Sequence, residues 1–466
     1  MSLPETLIRQ ARVVLPGGEI AIRDVQIVGD RIAAVGEGLA VSPTATVVEA
    51  AGLTLLPGVI DPQVHFREPG LEHKEDLYTA GRACARGGVT SFLEMPNTRP
   101  LTTTQTTLDD KLRRASHKCR VNYGFFIGAT SENLPDLRTA YPTPGIKIFM
   151  GSMHGDLLVD TEAILDPIFY RDLGDPTYEN RLIAVHAENQ ARIRARQQQY
   201  AGYTDPAIHS VIQDNQAALE ATQLALKLSK KYQRRLHILH LSTAEEADLL
   251  RQDKPPWVTA EVTPQHLLLN TSAYAQIGTL AKMNPPLRSP HDQAVLWQAL
   301  RDGVLDFIAT DHAPHTLEEK GMGQSADTPE ETSAGPTVFL EPAQAPSGMP
   351  GVETALPLLL TQAMQGRCTL AEVVRWMSTA VACAYGIPQK GQIAPGYDAD
   401  LILVDLKTYQ PVRREDLQTK AGWSPFEGWD LTGWPQVTWV NGQVAYDRGT
   451  FPPGVRGRPL VFHPQT

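Results

Sequence analysis

The segment Leu55-Leu-Pro-Gly-Val-Ile-Asp-Pro-Gln-Val-His-Phe-Arg-Glu-Pro-Gly70 passes from an apolar run into a set of polar side chains. Leu55 to Ile60 has the character of a buried strand, with Pro57 and Gly58 inside it. Asp61, Gln63, His65 and Arg67 follow where such a strand would end. Side chains two apart on an extended segment point the same way, so Gln63, His65 and Arg67 are expected to face one pocket.

Outward from this segment the chain has the rhythm of repeated strand–helix units. Short apolar strands are expected at Thr54–Ile60, Val89–Glu94, Val121–Gly128, Gly145–Met150, Arg181–Val185, Arg235–Leu239, Val258–Val262 and Leu305–Ala309. Helical patterns separate them, among them Lys74–Arg86, Asn215–Tyr232 and Asp292–Asp302. Eight such units predict an α/β fold, a (β/α)8 TIM-type barrel whose sites lie at the C-terminal strand ends. Ahead of the barrel, short β-prone pieces alternate with Gly and Asp turns, and strands and turns return near the C-terminus. The two ends, 1–54 and 389–466, are expected to complete one small β-domain beside a barrel of residues 55–388. Within the barrel, Thr316–Gly351 is rich in Gly, Pro, Glu and Thr without periodicity, which reads either as a surface insertion or as a lid.

Composition narrows the class of protein without naming a ligand. The chain has 466 residues, more than one ordinary core needs, with 42% hydrophobic and 20% charged residues. A formal charge of −10 offers no basic surface for nucleic acid, and no apolar run approaches the length of a membrane span. Cys84, Cys119, Cys368 and Cys383 are widely spaced with no C-x-x-C pair, as expected of reduced packing thiols. The N-terminus lacks the apolar core of a secretory signal, so a cytoplasmic location is expected.

The strand ends carry the chemistry. At or just past them stand His65, Asn97, Lys147, His186, His240 and Asp311. A lone His in an apolar strand is more often a hydrogen-bonded core residue, and a lone Lys a snorkelling one; the joint placement shifts the balance. Imidazoles and carboxylates bind divalent metals such as Zn²⁺, and His65, His186, His240 and Asp311 suffice for one ion and nearly for two. Lys147, buried beside cations, could be neutral, react with CO₂ and bridge two ions as a carbamate. Such a set suits hydrolysis by a metal-activated water, with Asp311 taking the nucleophile's proton and passing it to a leaving nitrogen. Arg67 and Asn97 are candidate donors to a substrate carboxylate, joined from later loops by Asn284 and His315. The plainer reading of Arg67 is a structural salt bridge with Glu68 or another acid.

Six motifs in order, His-Phe-Arg-Glu-Pro-Gly (65–70), Glu-Met-Pro-Asn-Thr (94–98), His-Ala-Glu (186–188), His-Leu-Ser-Thr (240–243), Met-Asn-Pro-Pro-Leu-Arg (283–288) and Ala-Thr-Asp-His-Ala-Pro-His (309–315), resemble the amidohydrolase superfamily and, within it, the dihydroorotases. The resemblance covers nearly the whole chain. It implies a metal-dependent cyclic amide hydrolase that interconverts dihydroorotate and N-carbamoyl-L-aspartate in pyrimidine biosynthesis. It also implies metal binding by His65, His186, His240 and Asp311, and substrate contacts from Arg67, Asn97, Asn284 and His315. Lys147 matches the members that use a bridging lysine. Gln63 departs from the usual His-x-His, and an amide oxygen is a weaker ligand than imidazole, so one metal is expected to be held loosely or to be absent. Assembly into a homo-oligomer is expected. Two other readings stand beside this one: a related hydrolase of hydantoins, dihydropyrimidines or allantoin, and a non-catalytic relative that serves as partner to a transcarbamoylase.

Overall fold

The computed structural model describes residues 3–40, 42–152, 155–170, 176–322 and 344–463. The chain begins with five short strands, β1 (Glu5–Val14), β2 (Ile20–Val28), β3 (Arg31–Gly36), β4 (Thr46–Glu49) and β5 (Thr54–Pro57). Then come the barrel strands β6 (Val59–Val64), β7 (Val89–Glu94), β8 (Asn122–Phe125), β9 (Ile127–Gly128), β10 (Gly145–Phe149), β11 (Leu182–His186), β12 (Leu236–Ile238), β13 (Val258–Val262) and β14 (Phe307–Ile308). The C-terminal part adds β15 (Leu401–Val404), β16 (Tyr409–Pro411), β17 (Asp430–Thr432), β18 (Pro435–Val440) and β19 (Gln443–Asp447).

All barrel strands pair in parallel, in two runs, β6-β7-β8 and β9-β10-β11-β12-β13-β14. Strands β8 and β9 are one strand broken at Phe126, whose N–H still reaches the carbonyl of Glu94 at 3.0 Å. The ring closes where Val64 bridges His312 in parallel and the N–H of His65 donates to the carbonyl of His312 at 2.7 Å. Each expected strand is present, and the (β/α)8 barrel is the observed fold. Residues on these strands are almost continuously buried, as an all-parallel sheet with helices outside requires.

The expected first strand, Thr54–Ile60, is in fact two. Thr54–Pro57 pairs antiparallel with β15 and parallel with β1 in an eight-stranded sheet ordered β19-β18-β15-β5-β1-β2-β3, with β4 on β1. The chain then crosses into the barrel at Gly58, and β6 begins one residue later. Nothing in the hydrophobic pattern marks this crossing, because both strands are fully buried. Gly58 marks it sterically: a Cβ there would overlap the side chain of Thr90 on the neighbouring strand.

Expected helices agree in place and differ at their ends. Asn215–Tyr232 is helical as expected, whereas Lys74–Arg86 starts only at Leu77 because Asp76 caps it, accepting from the N–H groups of Tyr78 and Thr79. The helix expected over Asp292–Asp302 runs from Pro290 to Arg301, started by a Ser289 cap. Most of the stretch read as an insertion or a lid, residues 323–343, lies outside the described residues. No helix among the described residues is long and apolar enough to cross a membrane.

Because Gly58 has no room for a side chain, Gly58→Ala is expected to lower stability by about 1–3 kcal/mol, the usual cost of overpacking. Urea denaturation would read this as a lower midpoint, with partial recovery in the Gly58→Ala/Thr90→Ala double variant.

Candidate active site

The C-terminal ends of the barrel strands surround a cavity of about 400 Å³. Every side chain singled out at the strand ends and in the later loops lines it: Gln63, His65 and Arg67 from the end of β6, Asn97 after β7, Lys147 on β10, and His186 on β11. His240 after β12 and Asp311 after β14 follow, with Asn284 and His315 from loops. The alternation argument holds for Gln63, which lies on β6, and His65, which follows it directly. Arg67 lies beyond the strand and reaches the cavity through a left-handed backbone, φ 68°; His240 and Asp311 do likewise, at φ 36° and 45°. Such conformations are costly for residues with side chains and occur where surrounding structure holds them.

Strands β6 and β14 meet through more than their backbones. Asp61, buried below the cavity, accepts from the Thr310 N–H at 3.1 Å and its hydroxyl at 2.6 Å, and burial pushes its carboxyl up to about 7. Above it, His65 Nε2 lies 3.1 Å from Asp311 Oδ1, and Gln63 Nε2 donates to the same oxygen at 3.2 Å. His65 Nδ1 faces Asn97 Oδ1 at 2.6 Å. An amide oxygen can only accept, so the proton sits on Nδ1 and the Nε2 lone pair is left towards Asp311. Asn97 therefore orients His65 through its oxygen and keeps its amide N–H groups for other partners.

On the opposite wall His186 Nδ1 and His240 Nε2 are 2.9 Å apart. Burial holds both His65 and His240 below the ordinary imidazole range, which keeps them neutral and able to donate lone pairs. The separations of 3.1 and 2.9 Å are close to the roughly 3.3 Å between neighbouring ligands about a tetrahedral zinc. Among the described residues no three His, Cys, Asp or Glu side chains form a metal-holding group on their own. The cavity offers two pairs of such donors, with Gln63 and Lys147 beside them. Gln63 Oε1 and Lys147 Nζ are buried with no hydrogen-bond partner. Buried polar atoms without partners are uncommon in proteins, and a bound ion or water is one explanation of them. The Lys147 ammonium is disfavoured by burial, which brings it down to about 7, and Nζ sits 4.4 Å from the Phe149 ring centre.

Arg67 settles the question left open by the sequence. Glu68 is occupied elsewhere, by Lys118 at 2.6 Å, Arg114 at 3.6 Å and the N–H of Leu77. The Arg67 guanidinium, 6% exposed, donates from Nε to the Pro314 carbonyl at 3.1 Å and lies 3.3 Å from His315 Nε2. Among the described residues no carboxylate oxygen comes within 4.0 Å of it. Burial lowers it to about 10. His315 is pulled down to about 3, chiefly by burial, and its Nδ1 faces Glu319 at 3.1 Å. Asn284 is steered by His209, whose Nε2 is 2.9 Å from the amide oxygen. Sequence reasoning missed Phe149 and Ser152 in the lining, and Glu188 behind it. Glu188 stood in the His-Ala-Glu motif, and its acidic side chain beside a strand-end His was the available signal.

A model of the amidohydrolase family matches residues 54–445. The chain belongs to that family. Over 95% of its length it is 34% identical to a dihydroorotase from Methanosarcina acetivorans, covering 92% of that protein. To a dihydroorotase from Bacillus subtilis it is 32% identical, with 95% of this chain and 98% of the relative covered. Among solved structures it resembles the L-hydantoinase (dihydropyrimidinase) from Arthrobacter aurescens, with a TM-score of 0.88, 29% identity and 97% of both chains covered. As an amidohydrolase the chain has the TIM barrel of its relatives, and the cavity lies at the end of the barrel where such enzymes place their sites.

A buried cation without a carboxylate partner costs stability, so Arg67→Met is expected to stabilise the ligand-free protein by on the order of 1 kcal/mol. The penalty is present below about pH 10, where Arg67 is charged. Chemical denaturation at pH 7 checks the sign; were Arg67 a structural ion-pair partner, the substitution would destabilise.

Proposed function

We propose that the chain is a dihydroorotase, a metal-dependent hydrolase that opens and closes the cyclic amide of dihydroorotate and N-carbamoyl-L-aspartate in pyrimidine biosynthesis. The observation that carries this reading is the Arg67 guanidinium, buried at the cavity with no carboxylate oxygen of the described residues within 4.0 Å. A substrate carboxylate would complete it with a bidentate pair. The Asn97 amide N–H groups and His315 lie on the same side and supply further polar contacts. The curated relatives named dihydroorotase agree with this assignment.

The donor set supports a metal centre with His65, Asp311 and Gln63 on one side and His186 and His240 on the other. Lys147 fits a bridge, since an amine that loses its charge near neutrality can add to CO₂ and become a carbamate, releasing a proton. Zn²⁺ held there would polarise the scissile carbonyl and make water nucleophilic near pH 7. The remaining work falls to the chain. Arg67 and Asn97 hold the substrate by its carboxylate, which fixes the ring against the metal-binding wall. The hydrogen bond from Gln63 and the nearest approach of His65 both fall on Asp311 Oδ1, which leaves Oδ2 to take a proton from the attacking water and deliver it to the ring nitrogen as the amide opens. Closure runs the same proton path in reverse.

The likeness to an L-hydantoinase favours a second reading, hydrolysis of hydantoin-type rings. Such rings carry no carboxylate for Arg67. Purified, zinc-loaded protein is expected to hydrolyse dihydroorotate at alkaline pH and form it from carbamoyl aspartate at acidic pH, with slower turnover of hydantoin and allantoin. Preference for the uncharged rings would overturn the assignment.

Gln63 is the weakest donor of the set. Metal analysis of Gln63→His should therefore find zinc content equal to or above that of the native protein. A drop would remove Gln63 from the metal centre.

A further inference from the structure

Glu188 is fully buried just behind the cavity, where the proposed mechanism gives it no task. Its Oε2 lies 2.8 Å from His186 Nε2 and 2.5 Å from the hydroxyl of Ser152. A carboxylate oxygen accepts, so His186 carries its proton on Nε2 and the lone pair on Nδ1 turns towards His240, 2.9 Å away. His65 shows the same arrangement with the ring nitrogens exchanged: Asn97 Oδ1 fixes Nδ1–H, and Nε2 faces Asp311. Among the described residues His186 is the only cationic-type side chain paired with Glu188 within 4.0 Å, so the carboxylate serves this ring and no structural ion pair.

The neighbouring loop is built to hold the carboxylate in place. Strands β10 and β11 run side by side, with Lys147 opposite Ala184 and Phe149 opposite His186. Past their ends, Gly151 lies so close to the backbone of Glu188 that a Cβ would overlap its carbonyl oxygen. Ser152, with φ 56°, donates its N–H to Gln190 Oε1 at 2.8 Å and its hydroxyl to Glu188. The clasp thus ties the end of the strand bearing Lys147 to the end of the strand bearing His186.

We propose that Glu188 is a positioning residue, which fixes the tautomer and ring plane of His186 for metal binding, and that Ser152 holds Glu188 to that task. This rests on the reading of the cavity as a metal centre. Carboxylates behind metal-bound imidazoles raise ligand basicity, and their loss typically weakens metal affinity or activity by about 10–100-fold.

The test is Zn²⁺ affinity, measured by competition with a chromophoric chelator, for the native protein and for Glu188→Ala, Glu188→Gln and Ser152→Ala, alongside kcat and KM for dihydroorotate. Glu188→Ala is expected to weaken zinc binding about 10–100-fold. Glu188→Gln, which keeps an acceptor oxygen, should lose less, and Ser152→Ala should fall between Gln and the native protein. KM should stay near the native value while kcat falls. A folded Glu188→Ala protein that binds zinc as tightly as the native one would overturn the proposal. Should that variant fail to fold, unchanged affinity in both Glu188→Gln and Ser152→Ala would overturn it equally. Native protein that binds no zinc would overturn the metal reading and this role with it, whereas a zinc-binding native protein with unaffected variants would overturn the positioning role alone.

Discussion

The hydrogen bond from the His65 N–H to the His312 carbonyl, 2.7 Å long, closes the barrel, and the site is assembled across that seam. Gln63, His65 and Arg67 come from its first side, Asp311 and His315 from its second, and they meet only because β6 and β14 are neighbours. The buried contact of Asp61 with Thr310 holds the same seam from below. Loss of register here would move both halves of the donor set at once, which explains why polar groups are spent on a joint inside an apolar barrel. Side chains on either side of the seam then need only their own rotamers and left-handed backbones to converge.

Electrostatics in the cavity work against the stability of the empty protein. Arg67 and Lys147 are basic groups buried in the cavity wall, and burial shifts both towards their neutral forms. Among the described residues neither receives a carboxylate within ion-pair distance. Some buried charges elsewhere are paired, Glu94 with Lys111 at 2.9 Å and Glu353 with Arg86 at 2.7 Å, while Lys320 is met by the carbonyls of Lys282 and Pro346. Glu94 also assists the site, because it accepts from the N–H of Phe66 and so holds the turn between His65 and Arg67.

Much of this was legible in the sequence, for identifiable reasons. The barrel strands are short apolar runs between helical patterns, and the ligand-type residues follow them, so both fold and membership of the site could be read from order alone. The crossing at Gly58 could not, since the apolar run from Leu55 to Ile60 continues across it and both strands are fully buried, and only the clash with Thr90 marks the break. The left-handed backbones of Arg67, His240 and Asp311 depend on tertiary packing and leave no local trace. Asn97 shows a further limit: its place was foreseeable, but the occupation of its oxygen by His65 was not. The partner of Glu68 was misjudged as Arg67 in the plainer reading because adjacency in sequence says nothing of Lys118, fifty residues on.

The central claim is that Arg67 recognises a carboxylate on a cyclic amide. Dihydroorotate and 5,6-dihydrouracil share the ring and differ in that one group, so kcat/KM for both substrates, in native protein and in Arg67→Met, isolates the interaction. The account predicts a strong native preference for dihydroorotate that collapses in Arg67→Met through loss of activity on dihydroorotate alone. Equal loss on both rings, or an unchanged preference, would contradict it.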